Sequence, residues 1–246
     1  MPRIEVEVPT SDGVAGATLH VPNGTGPWPG VLMYPDAGST REVIREMADR
    51  LADLGYVVLQ PDIYYRAGEY EPITVATVFT DPEQRKRLGT LAGVLTSEKI
   101  GEDATAYVDF LEGRPEVAPG PVGTTGYCMG GRMSLIAAGR LGERIGAAAS
   151  FHGGRLAVED DPESPHQLAA GVRAVVYVAA AQNDPSFDDD QAARLHEAYE
   201  AAGVAHTIET YAASHGFAVP DNPTYDEAAA ARHWVALADL YASTLA

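Results

Sequence analysis

The chain has one cysteine, Cys128, among 246 residues. A single thiol excludes an intramolecular disulfide framework and a zinc site built from clustered cysteines. Positive charge is also scarce: 17 Lys and Arg stand against 35 Asp and Glu, a formal net charge of −18. Nucleic-acid binding needs a basic face and anionic lipid attracts basic clusters, so neither partner is expected. No apolar run reaches the roughly 18 residues of a membrane span. Residues 1–10 mix charge with valine and lack the apolar stretch of a signal peptide. A soluble, cytoplasmic protein is expected.

What is present is a globular balance, with 46% hydrophobic and 21% charged residues. The length allows one large domain or two small ones. No Gly-, Ser- or Pro-rich linker divides the chain and no repeat is visible, so one α/β domain over 1–246 is expected. Alternating or buried apolar runs predict strands at 4–9, 14–21, 30–34, 56–59, 122–127, 145–151, 174–179 and 207–211. Helical spacing predicts helices at 41–54, 101–111, 129–141, 188–202 and 225–245, with a mixed helix or lid at 81–95. Strands separated by helices imply right-handed crossovers and a mostly parallel sheet covered on both faces.

The informative stretch is Gly126-Tyr127-Cys128-Met129-Gly130-Gly131, between a predicted strand and a predicted helix. It reads G-x-C-x-G-G, the thiol form of a nucleophile elbow. Such a turn is sharp and strained, so the flanking positions must lack side chains. The helix that follows points free N–H groups at the site, which favours a thiolate and an oxyanion. A lone intracellular cysteine is more often a small buried hydrophobe, but a packing cysteine needs no flanking glycines. The spacing does not match the G-x-G-x-x-G of a dinucleotide loop.

A cysteine nucleophile needs a base, and the base needs an orienting acid. Asp184 lies on the loop leaving the strand at 174–179, and His215 on the loop leaving the strand at 207–211. Both positions lie beyond the carboxyl ends of strands, where open α/β sheets bind ligands. The order nucleophile, acid, histidine also suits this architecture. Asp184 is preferred to Asp188, Asp189 and Asp190, which read as an acidic first helical turn. His152, followed by Gly153-Gly154, is the competing base, but it precedes the acid. The oxyanion hole falls to the backbone N–H groups of Met129 and Ala37. By residue type alone, Asp36 reads as a helix cap.

Taken together, these residues resemble the dienelactone hydrolase family, the cysteine branch of the α/β-hydrolases. The resemblance covers most of the chain and includes Pro61-Asp62-Ile63-Tyr64-Tyr65-Arg66, Gly126 to Gly131, Asp184 and His215-Gly216-Phe217. It implies hydrolysis of small esters or lactones, in the carboxymethylenebutenolidase class, with no metal or organic cofactor. Cys128 would form a thioester, His215 would shuttle the proton and Asp184 would orient His215. The family also carries an acidic residue, usually Glu, that pairs with the resting thiol. Asp36 matches it, one methylene shorter. Family members acting on dienelactone present an Arg shortly after the histidine, where this chain has Val219. A second family Arg falls in the segment holding Arg85 and Arg87, which become the candidate substrate-binding residues. The rival readings are a redox-active thiol protein and a non-catalytic hydrolase-fold binding protein.

Overall fold

The computed structural model describes residues 2–78 and 80–245. The chain opens with a hairpin of β1 (Arg3–Thr10) and β2 (Gly13–His20), turned by Ser11-Asp12. Next come β3 (Gly30–Tyr34), α1 (Glu42–Asp53), β4 (Val57–Pro61), α2 (Pro82–Ala92) and α3 (Ser97–Glu112). β5 (Val122–Tyr127) runs directly into α4 (Met129–Leu141), followed by β6 (Ile145–Phe151) and β7 (Val175–Ala181). α5 (Asp189–Ala202), β8 (His206–Tyr211) and α6 (Glu227–Thr244) complete the described elements.

The eight strands form one sheet in the order β1-β2-β4-β3-β5-β6-β7-β8. β1, β2 and β4 pair antiparallel, and every later pairing is parallel, as the α/β-hydrolase fold requires. Alternate side chains of each strand feed opposite faces. Leu32 and Tyr34 of β3 join a core with α3, α4 and α5, whereas Val31 and Met33 join a second core with α1 and α6. All five residues of β3 and of β4 are buried, which explains their continuous apolar reading. No helix among the described residues is long and apolar enough to cross a membrane.

The boundaries follow local chemistry. α3 starts at Ser97, four residues before the expected 101, because the Thr96 hydroxyl accepts the Lys99 N–H at 3.2 Å. Gly101 then lies inside the helix, and a Cβ there would meet the Arg140 stem of α4 at 2.9 Å. The Asp81 carboxylate caps α2 with Pro82 in its first turn, so the segment at 81–95 is a helix over Pro82–Ala92. Asp188 caps α5 through the Gln191 N–H, and Asp189 and Asp190 form the expected acidic first turn.

At the centre of the sheet, β5 delivers Cys128 in a strained turn with φ 55°. A Cβ on Gly126 would sit 2.0 Å from the Gly130 carbonyl oxygen, and one on Gly130 2.3 Å from that of Pro35. Strand and helix therefore approach backbone to backbone. Gly126→Ala is expected to destabilise the protein by about 1–3 kcal/mol through overpacking. Gly89→Ala, on an exposed turn of α2 with nothing near its Cβ, should stabilise by about 0.5–1 kcal/mol. Urea unfolding of both variants checks this opposition in sign.

Candidate active site

Cys128, Asp184 and His215 come from the carboxyl ends of β5, β7 and β8 and meet in one hydrogen-bonded chain. His215 Nε2 lies 3.1 Å from Cys128 Sγ, and His215 Nδ1 lies 2.6 Å from Asp184 Oδ2. The other Asp184 oxygen accepts the Ser186 N–H at 2.8 Å and the Ser186 hydroxyl at 2.6 Å. Burial disfavours the Asp184 carboxylate, but hydrogen bonds from His215 and Ser186 overcome that and hold it below the usual carboxylate range. Burial likewise works against a charged His215. The charge on the Cys128 sulfur and the Asp184 hydrogen bond outweigh it, and the imidazole is pushed up to about 10.

His152, the competing base, is placed by the structure beneath the site rather than in it. It is fully buried, with its ring against those of His215 and Phe217. Its Nδ1 accepts the Cys128 N–H at 3.2 Å, so that nitrogen carries no proton. Burial first, then repulsion from His215 and His233, drive it well below the usual imidazole value. A neutral ring with its acceptor nitrogen committed supports the turn. Ser186 escaped the sequence reading, although Asp184-Pro185-Ser186 is a local pattern in which the acid side chain bonds two residues ahead.

Met129 opens α4, so its N–H has no carbonyl within the helix to bind. Ala37 sits on the buried loop after β3. The Tyr64 hydroxyl donates to the Ala37 carbonyl at 3.1 Å and lies 3.2 Å from Met129 Sδ, joining the two segments that carry the candidate oxyanion donors. Tyr64 belongs to the stretch after β4 that the sequence singled out without assigning it a task.

Two expectations need correction. The Asp36 carboxylate is engaged by Arg41 through both oxygens, at 2.6 and 2.8 Å, and by the Gly38 N–H at 2.9 Å. It neither caps α1, whose N-cap is Arg41, nor hydrogen-bonds to Cys128 among the described residues. A bidentate guanidinium holds a carboxylate more strongly than a thiol can, and a thiolate would repel it. Arg41 continues to Asp221 at 2.7 and 2.8 Å, tying the β3 exit loop to the loop after His215.

The second correction concerns Arg85 and Arg87. Both lie on α2, and neither lines the cleft of about 510 Å³ above Cys128. Arg87 turns back to donate to the Glu71 carbonyl. From the segment ahead of α2, Val75, Ala76 and Thr80 reach the cleft, and Phe79 lies outside the described residues. The cleft's own arginines are Arg132 and Arg155, and both reach Asp161, at 3.5 and 3.1 Å. Arg132 also donates to the Glu163 carbonyl at 2.7 Å. Neither arginine carried a sequence signal, because their meeting point is set by the loop after β6.

Known proteins agree with this architecture. A Methylorubrum extorquens protein named "Putative carboxymethylenebutenolidase" is 29% identical over 244 residues, covering 96% of this chain and 79% of its own. The Klebsiella pneumoniae "Putative Dienelactone Hydrolase" structure superposes with a TM-score of 0.84 at 24% identity, over 98% of each chain. A dienelactone hydrolase-like promiscuous phosphotriesterase from metagenomic libraries superposes with a TM-score of 0.80 at 25% identity, over 100% of both chains. Residues 15–245 match the model of the dienelactone hydrolase family. This chain belongs to that family and is a hydrolase of the α/β-hydrolase fold.

Proposed function

We propose that the chain is one catalytic domain that hydrolyses small, uncharged esters or lactones through a thioester on Cys128. The observation that supports this reading best is the unbroken chain Asp184–His215–Cys128 at the floor of the cleft. The Cys128 thiolate attacks the carbonyl carbon, forming a C–S bond while the π electrons move onto oxygen. The Met129 and Ala37 N–H groups face that oxyanion. When the carbonyl re-forms, the C–O bond breaks and His215 passes its proton to the leaving oxygen. For a lactone, that oxygen stays attached to the acyl chain. Water then attacks the thioester, giving a proton to His215, and collapse returns the Cys128 thiolate and releases the acid. Asp184 holds His215 with Nε2 toward sulfur throughout. Cys128→Ala and His215→Ala should each lower kcat/KM for p-nitrophenyl acetate at least about 1,000-fold. Wild-type turnover in Cys128→Ala, in protein cleared of contaminating esterase, would sink the reading.

The charge pair is testable by itself. His215 keeps its proton above the unfolded value of about 6.5. Its contribution to stability is therefore complete below that pH and is lost as pH rises towards about 10. In imidazole NMR titrations, the wild-type His215 midpoint should lie well above 6.5. In Cys128→Ala and Asp184→Asn it should fall, as each removes a group that favours the imidazolium. A wild-type midpoint at or below the ordinary value would contradict the pair.

The uncharged substrate follows from the lining. Val75, Ala76, Met129, Pro185 and Pro223 supply apolar walls, and Asp161 shares its charge between the two cleft arginines. The net charge of −18 gives no general attraction for anions. p-Nitrophenyl butyrate should therefore exceed mono-p-nitrophenyl succinate in kcat/KM by roughly tenfold or more, since both cleft arginines are already engaged by Asp161 and the rest of the wall is apolar. Preference for the succinate would overturn the charge assignment while leaving the thioester chemistry intact.

A further inference from the structure

At the opposite end of β8 from His215, two imidazoles and a carboxylate converge at the sheet edge. His196 and Glu200 are one helical turn apart on α5 and so share a face. His206 is the first residue of β8, the last strand of the sheet. One ligand atom from each of the three lies within 4.8 Å of the other two.

The hydrogen bonds prepare this cluster. His206 Nδ1 lies 2.8 Å from the Val204 carbonyl, which can only accept, so the proton sits on Nδ1. The lone pair on His206 Nε2 then points at His196 Nδ1, 2.8 Å away. A backbone carbonyl that fixes the tautomer of an imidazole is the usual support behind a metal-ligating histidine. The His206 ring is also held against buried Tyr199, with centroids 5.3 Å apart. Two nitrogens bound to one zinc at about 2.1 Å stand roughly 3.0–3.4 Å apart for cis-octahedral or tetrahedral angles. Opening the present pair by a few tenths of an ångström, within the reach of the exposed His196 side chain, would admit an ion.

We propose that His196, Glu200 and His206 bind one divalent transition cation of the zinc class. Two imidazoles with one carboxylate suit Zn²⁺, Ni²⁺ or Cu²⁺, whereas Ca²⁺ and Mg²⁺ prefer all-oxygen sites. Binding through His196 Nδ1 requires that ring to carry its proton on Nε2 instead, so both imidazoles stay neutral, and water fills the remaining positions. The ion joins the last turn of α5 to the start of β8 across Gly203, which adopts the left-handed conformation.

The test uses the 246-residue chain carrying Cys128→Ala, because the thiolate–imidazole pair of the cleft could itself take zinc. After chelator treatment, calorimetric titration with ZnCl₂ should show one equivalent, and saturating zinc should raise the thermal midpoint. His206→Ala and His196→Ala, each in that background, should weaken the binding at least tenfold and abolish the thermal shift. MgCl₂ should produce neither effect. Imidazole NMR should show the His196 and His206 resonances moving with zinc while that of His215 stays in place. Absence of stoichiometric zinc binding would leave the two histidines as a hydrogen-bonded pair only and overturn the proposal. Undiminished binding in His206→Ala would place the ion elsewhere and overturn it equally.

Discussion

Around Cys128, backbone packs on backbone with no room for a side chain. A Cβ on Gly126 would collide with Gly130, and one on Gly130 would collide with the loop leaving β3. This closeness makes β5, α4 and the β3 exit loop one unit. It sets the N-terminus of α4, with its unpaired amides, over the strand end that carries the thiol. The segments that carry Met129 and Ala37 are thereby brought together beside the proposed nucleophile. Tyr64 then joins them from a third segment, through the Ala37 carbonyl and the Met129 sulfur. Without that approach distance, the other parts of the site would have no common origin.

The remaining groups are held by charge as much as by packing. Asp184 is buried and would be unfavourable as an isolated carboxylate, yet Ser186 and His215 together satisfy it. The loop bearing His215 is anchored at a distance, by Arg41 reaching Asp221 while it binds Asp36. Beside the cleft, Asp161 engages both Arg132 and Arg155, so the cationic side chains that line it are already partnered. An acidic protein thus presents a largely apolar cleft above Cys128. The specificity proposed for it rests on the apolar walls and on cations that already have partners, and not on the overall charge.

α5 links these regions. It begins directly after the loop that carries Asp184 and ends beside the strand that leads to His215. Its acidic first turn complements the positive helix end, and its last two turns carry two of the three proposed metal ligands. A cation at that end would tether the edge strand without entering the cleft. Support for the strand and chemistry at its far end would then remain separable.

The sequence by itself determined the strand and helix pattern, the glycine-flanked turn at Cys128, and the placing of Asp184 and His215 on loops after successive strands. Each depends on features within a few residues: apolar periodicity, glycines beside a strand end, and turn residues after β7 and β8. Even there, the start of α3 escaped, because Thr96 is an ordinary residue until its hydroxyl is seen to cap Lys99. Tertiary structure alone decided that Asp36 belongs to Arg41, that Arg132 and Arg155 line the cleft in place of Arg85 and Arg87, and that His152 lies beneath the thiol. Arg41 and Asp221 are 180 positions apart, and no local pattern encodes their meeting. Charged side chains are long and can satisfy several partners, so their choice depends on where distant loops come to rest. Backbone turns carry their constraint in the residues that form them, which is why the elbow could be read and the ion pairs could not.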